Sequence, residues 1–145
     1  MVFRSKIDKF FVITIAITLL IILAVCIIPL VLSKSTVAET IVVLSLCALS
    51  IGLILWSAFF IRYEFFPNHL FVRGGLFRSR IPYEKITKVT PTSAIFTGYR
   101  IMSSRDGIEI FYQNATLGSV KVSPKNKSEF IAELKKHCPN VQIQD

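Results

Sequence analysis

The sequence is poor in the residues that form disulfide frameworks and metal sites. It has three cysteines and two histidines among 145 residues. Cys26 and Cys47 fall inside long apolar runs and Cys138 lies near the C-terminus, so the spacing of a disulfide framework is absent. Neither His69 nor His137 has the additional neighbouring ligands that a zinc ion needs, although Cys138 follows His137 directly. The sequence therefore predicts neither disulfides nor a metal centre.

Motifs for phosphate binding and for nucleophilic catalysis are also missing. Gly74-Gly75 is not followed by a helix that opens with Lys and Ser or Thr, so the pair is typical of a turn. No serine lies in the setting of a nucleophile elbow. The carboxylates of Glu84, Asp106 and Glu109 lack the spacing of an acid/base pair or of a metal site. We therefore predict a protein that is not an enzyme and that needs no cofactor.

Acidic residues are scarce, and the basic excess is concentrated in one part of the chain. Seventeen Lys and Arg residues face nine Asp and Glu, which gives a net charge of +8. Thirteen of the 17 basic residues follow Ile61. Such an excess favours either an anionic membrane surface or a nucleic acid as the partner. Because no nucleic-acid recognition motif accompanies the charge, we predict no nucleic-acid partner.

Two long runs without charge are the most prominent feature of the sequence. They cover residues 10–33 and 40–61. A helix rises about 1.5 Å per residue and a bilayer core is about 30 Å thick, so roughly 20 residues suffice to cross it. The sequence predicts a transmembrane helical hairpin over residues 10–61 in the lipid bilayer of the cell membrane. A basic lead-in would cover residues 1–9, and a cytoplasmic domain would cover residues 62–145.

The distribution of basic residues predicts how this hairpin is oriented. Three basic residues precede the first run and only Lys34 lies in the short connection between the runs. Four arginines follow the second run within 20 residues: Arg62, Arg73, Arg78 and Arg80. Basic residues near the ends of membrane spans favour the cytoplasmic side. Both termini are therefore predicted to be cytoplasmic.

After Ile61 the apolar residues alternate with polar ones, which predicts short strands. Gly74-Gly75 and Asp106-Gly107 are typical two-residue hairpin turns. Asn126 and Glu129 predict the capping box of a closing helix. One face of this helix would carry Phe130, Ile131, Leu134 and Cys138. The seven predicted strands are Tyr63–Phe66, His69–Arg73, Leu76–Ile81, Ile86–Val89, Arg100–Ser104, Ile108–Tyr112 and Gly118–Val122.

Pairing across Gly74-Gly75 predicts an apolar face and a basic face. Val72 would lie opposite Phe77 on the core side. The other side would carry a surface for anionic contacts, with Phe71 opposite Arg78 and His69 opposite Arg80. Two interpretations of this surface remain open: a solvated face, or contact with anionic lipid headgroups or a membrane-protein partner. We name this predicted set the basic surface; it comprises His69, Phe71, Arg73, Arg78 and Arg80.

Seven strands followed by one helix is the order of a pleckstrin-homology-like (PH-like), partly open barrel, so the predicted class is α+β. The segment FFPNHLFVRGGLFRSRIPYEKITKVTPT resembles the opening strands of the bacterial YyaB-like PH domains, and GIEIFY with VSPKNKSEFIAELKK resembles their closing strand and helix. The resemblance covers Tyr63 to about Pro139. It implies a membrane-anchored, non-enzymatic interaction protein. Because that family includes a sublancin immunity protein, it also implies a role in bacteriocin immunity. A domain that binds anionic lipids or senses envelope stress is the alternative.

Overall fold

The structure consists of two long apolar helices and a PH-like β-sheet domain that closes with a short helix. The computed structural model describes residues 1–114 and 117–144. The helices are α1 (Lys9–Leu32), α2 (Val37–Phe59) and α3 (Lys127–His137), with a 3-10 turn at Tyr83–Lys85. The strands are β1 (Val2–Arg4), β2 (Ile61–Phe65), β3 (His69–Gly74), β4 (Phe77–Pro82), β5 (Ile86–Thr92), β6 (Arg100–Ile101), β7 (Gly107–Tyr112), β8 (Ser119–Val122) and β9 (Gln142–Ile143).

Helices α1 and α2 are long and apolar enough to cross a membrane. Helix α2 begins and ends before the apolar run of residues 40–61 does. Thr36 and Glu39 form a capping box in which each side chain accepts the other's backbone N–H, so the helix begins before the uncharged run. It ends at Phe59 because Ile61 already belongs to β2.

Residues 1–9, predicted as a separate lead-in, contribute a strand to the domain. Strand β1 pairs with β2 in antiparallel register, with Val2 opposite Glu64. Phe3 is buried, and its ring packs edge-on against Phe65 and Phe130 at centroid distances of 5.6 and 5.4 Å. An apolar side chain between two exposed ones suits a strand with one covered face. The domain therefore includes chain on both sides of the two helices.

The strands form two sheets rather than one seven-stranded barrel. Their orders are β1-β2-β3-β4 and β6-β8-β7-β5-β9. Each of the seven predicted segments contains a strand, and β1 and β9 are additional. No strand pairing joins the two sheets within residues 1–114 and 117–144. The core lies between the sheets and α3; its fully buried side chains include Tyr63, Leu70, Val72, Ile81, Ile110, Val120, Phe130 and Leu134.

The hairpin predicted at Asp106-Gly107 is wrong. Strand β6 pairs in parallel with β8, and β7 lies between β5 and β8. The segment that would have paired with β7 instead turns away to contact Asp8 at the start of α1. Its Ser104 hydroxyl and Arg105 N–H both donate to the Asp8 carboxylate. These bonds connect residues 104 and 105 to the start of α1 instead of to β7.

The closing helix α3 is confirmed, whereas its predicted capping box is wrong. Asn126 lies at the N-cap but makes no capping hydrogen bond. Its side-chain amide instead donates to the Glu129 carboxylate at 3.0 Å. The apolar face is as predicted: Phe130 and Leu134 are fully buried, and Cys138 is buried. Helix α3 therefore covers one end of the core.

Candidate anion-binding surface

The structure places the five residues of the basic surface on the outer side of β3 and β4. Phe71 lies opposite Arg80, and Arg73 lies opposite Arg78. The three arginines are exposed, whereas His69 and Phe71 are half-buried. The guanidinium carbon of Arg80 lies 5.9 Å from the centre of the Phe71 ring, within the range of a cation–π contact.

The predicted register of this hairpin is wrong by two residues. Gly74 pairs with Phe77, so the turn consists of Gly75 and Leu76 rather than of Gly74 and Gly75. Gly75 has a φ of +56°, which suits the first central position of a tight hairpin turn. Because the error is an even number of residues, each side chain keeps the predicted face. Phe77, however, lies at the edge of the sheet and is 57% exposed instead of buried.

Two further arginines extend the basic surface across the whole sheet. Arg4 lies opposite Arg62, Arg62 opposite Arg73, and Arg73 opposite Arg78. All four are exposed. Neighbouring strands are about 4.8 Å apart, so these positions span roughly 15 Å. We call this set, Arg4, Arg62, Arg73 and Arg78, the arginine row.

No salt bridge to the arginine row occurs among the described residues, although Glu64 lies two residues from Arg62 on β2. Like charges directly opposite each other destabilise a sheet. Among residues 1–114 and 117–144, every salt bridge involves a lysine or a histidine, and none involves an arginine. In the sequence, Arg4 and Arg62 count only toward the predicted orientation of the hairpin. Arg4 could not be placed on this surface because its strand pairs with one that follows two intervening helices.

The arginine row lies at the end of α2. Strand β2 begins at Ile61, two residues after the helix ends. Trp56 and Phe60 at the end of the helix, together with Arg62 and Arg73, line a cavity of about 140 Å³. A Cβ atom on Gly75 would lie 2.6 Å from the Cα atom of Ser57, so only glycine permits this close approach to α2. The apolar helix end and the arginines are therefore held side by side.

One loop, residues 103–106, connects the domain to both helices. The Asp8 carboxylate caps α1 through the N–H of Phe11 at 2.7 Å and also accepts the N–H of Arg105 at 2.7 Å. The Ser103 hydroxyl donates to the Ala58 carbonyl near the end of α2 at 3.2 Å. Partial burial opposes ionisation of Asp8, but the bonds from Arg105 and Phe11 outweigh it and lower its pKa.

A buried hydroxyl network joins the two sheets behind the arginine row. The Tyr63 hydroxyl donates to the Ile101 carbonyl at 2.6 Å and accepts the N–H of Ser123 at 3.0 Å. The hydroxyls of Ser5 and Ser123 are 2.8 Å apart. Burial raises the pKa of Tyr63 to about 12, so this group stays protonated and can donate at neutral pH.

Both histidine rings stack on aromatic side chains. The His137 ring stacks on Tyr83 at 4.5 Å, and its Nε2 lies 3.7 Å from the Glu133 carboxylate. The His69 ring stacks on Phe66 at 5.0 Å. In the described ranges, no group of three metal-ligating side chains occurs. The arginine row presents four exposed guanidinium groups, which are hydrogen-bond donors suited to anions.

Comparison with known proteins is consistent with this fold. A family model described as a bacterial PH domain matches residues 61–138. The chain belongs to the bacterial PH-domain family. It is also similar to the uncharacterized protein YyaB of Bacillus subtilis (strain 168), with 36% identity over 143 residues. This match covers 99% of the chain and 97% of that protein, so it includes both helices.

Membership in the bacterial PH-domain family confirms the resemblance drawn from the sequence. The PH-domain family is generally non-enzymatic. The family match begins at Ile61, the first residue of β2, and ends at Cys138, directly after α3. Arg4 therefore lies outside the matched segment, whereas the other three members of the arginine row lie inside it.

Proposed function

We propose that this protein is a membrane-anchored, non-enzymatic interaction module with its PH-like domain at the cytoplasmic face of the membrane. No residue of α1 is buried, and only Cys47 and Ala58 are buried in α2. Two helices with such apolar surfaces need a cover that the domain does not provide, and a bilayer supplies one. The basic residues flanking the hairpin support cytoplasmic termini.

The basic surface then binds anionic lipid headgroups of the adjacent leaflet. The observation that carries this proposal is the row of exposed arginines at the end of α2. Each basic residue close to an anionic leaflet contributes about 1 kcal/mol, and this attraction falls off over a Debye length of about 8–10 Å. A domain anchored by α2 holds its arginines within that range. Bacteriocin immunity and envelope-stress sensing stay predictions from the sequence.

Lipid selectivity of the full-length protein tests this proposal. The protein is reconstituted in mixed bilayers, and the fraction of spin-labelled phosphatidylglycerol held at its surface is compared with that of phosphatidylcholine. We expect a preference for phosphatidylglycerol that decreases with added salt. The double change Arg78→Gln and Arg80→Gln should reduce this preference, because both side chains are exposed and basic.

The matched control is the double change Lys135→Gln and Lys136→Gln, which removes the same charge from exposed positions of α3. This control should keep the preference of the wild type. If the wild type shows no preference, or if the arginine variant keeps it in full, the surface does not bind anionic lipid. An acidic protein partner would then be the better explanation of the basic surface.

A further inference from the structure

We infer that Arg62 and Arg73 form a discrete binding site for the phosphate of one anionic phospholipid. This inference rests on the proposed function and assigns a specific ligand to part of the arginine row. The two residues lie directly opposite each other on neighbouring antiparallel strands. Side chains in such a pair start from Cβ atoms about 5 Å apart, so their guanidinium groups can reach a common anion.

The chemistry of this pair selects phosphate. Guanidinium groups present planar sets of N–H donors that match the oxygens of a phosphate, often two at a time. No salt bridge within residues 1–114 and 117–144 occupies either arginine. A phosphodiester placed between them would remove the repulsion of two like charges and accept hydrogen bonds from both. Arg4 and Arg78 flank the pair and favour a ligand with a net negative charge.

The aromatic lining of the cavity favours a lipid over a free anion as the ligand. The cavity of about 140 Å³ is lined by the two arginines on one side and by Trp56 and Phe60 on the other. Trp56 and Phe60 are 38% and 60% exposed. Aromatic side chains of this kind prefer the boundary between headgroups and acyl chains. A phospholipid has the same arrangement, because its phosphate lies next to its apolar part.

The backbone of the site is held in place by the fold, so only the exposed arginine side chains need to become ordered on binding. Arg62 follows the end of α2 by three residues. Arg73 lies two residues before Gly75, which is in close contact with Ser57 of the same helix. The position of both strands relative to the helix end is therefore fixed on each side of the cavity.

Trp56 is the single tryptophan of the chain and reports on this cavity directly. The full-length protein in a neutral detergent is titrated with short-chain phosphatidylglycerol, with short-chain phosphatidylcholine and with inorganic phosphate. We expect a saturable change in Trp56 fluorescence with phosphatidylglycerol at the lowest concentration. The double change Arg62→Gln and Arg73→Gln should weaken this binding by at least about tenfold, because it removes charge-assisted hydrogen bonds.

The control Lys135→Gln and Lys136→Gln should bind phosphatidylglycerol within twofold of the wild type, and circular dichroism checks that both variants are folded. Binding by the Arg62/Arg73 variant within twofold of the wild type would overturn the inference. Equal affinity for inorganic phosphate and phosphatidylglycerol would also overturn it, because the ligand would then be a free anion. If bilayer selectivity persists while this variant binds normally, only the inference fails; if selectivity is absent as well, the proposed function fails with it.

Discussion

Replacing Tyr63 by phenylalanine removes one buried hydroxyl while keeping the ring that packs against Phe130 at 5.9 Å. The side chain of Tyr63 has no solvent exposure. The change leaves two backbone groups without their partner: the carbonyl of Ile101 and the N–H of Ser123. The first belongs to β6, and the second directly follows β8. Loss of the hydroxyl therefore weakens the connection between the two sheets.

The expected cost follows from the number of groups left unpaired. A buried polar group that loses its hydrogen bond costs about 1–3 kcal/mol. Two such groups give a decrease of about 2–6 kcal/mol in the free energy of unfolding. For a chain of this size, 1 kcal/mol corresponds to about 2–4 °C in Tm, so we expect Tm to fall by about 4–24 °C. The packing of the ring is unchanged and contributes nothing to the difference.

Thermal unfolding of the full-length protein in a mild detergent, followed by far-ultraviolet circular dichroism, measures this effect. The matched control is Tyr112→Phe, whose hydroxyl contacts the Ser79 hydroxyl at 3.4 Å and whose side chain is half-buried. We expect the control to lose less than about 1 kcal/mol. A Tyr63→Phe protein that unfolds within about 2 °C of the Tyr112→Phe protein would refute the role given to the hydroxyl network.

Two further predictions concern acid stability and topology. The pKa of Asp8 is lowered from 3.8 in the folded protein, so its stabilising contribution is present above that value and is lost as the pH falls below it. Between about pH 5 and pH 3, the Tm of the wild type should therefore fall further than that of Asp8→Asn, and parallel curves would contradict this assignment. For topology, a cysteine at Ser35 in a cysteine-free background should react with a membrane-impermeant thiol reagent in intact cells, whereas one at the exposed Ser128 should not. Labelling of Ser128 from outside would contradict the proposed orientation.

Local patterns predicted the elements whose signals lie within a few residues of each other. The uncharged runs predicted both long helices, and apolar alternation predicted strands from Tyr63 to Val122. The apolar face of α3 followed from helical spacing, since Phe130 and Leu134 are four residues apart and both are buried. The strand and α3 signals depend on burial of one face, whereas the signal of the two long helices is the length of an uncharged run.

The register of the β3–β4 hairpin could not be predicted from the turn residues alone. Gly74 and Gly75 both tolerate a positive φ, so two placements of the turn are compatible with the sequence. Distant contacts decide between them. A Cβ atom on Gly74 would lie 2.7 Å from a methyl carbon of Ile101, and one on Gly75 would meet Ser57. Neither neighbour is close to the turn in sequence.

The sequence did not predict that Arg4 and Arg62 lie beside Arg73 and Arg78, and the reason is again a long-range pairing. Strand β1 has only three residues, which is too short for a periodic signal. Its partner β2 follows both long helices, and no local pattern links the two segments. The parallel pairing of β6 with β8 is also long-range and was missed for the same reason. The sequence shows which side chains are basic, but which of them lie next to each other depends on the order in which the strands pair.

The pairing of β1 with β2 has a consequence for biosynthesis. Strand β1 leaves the ribosome before α1, but its partner is made only after α2 is complete. The four-stranded sheet therefore cannot close until both helices have been synthesised. The two helices are an insertion within the domain, and a fragment that begins at Arg62 lacks Phe3 and Ser5 from its interior. A soluble version of the domain would keep residues 1–8 and replace the helices with a short link to Ile61.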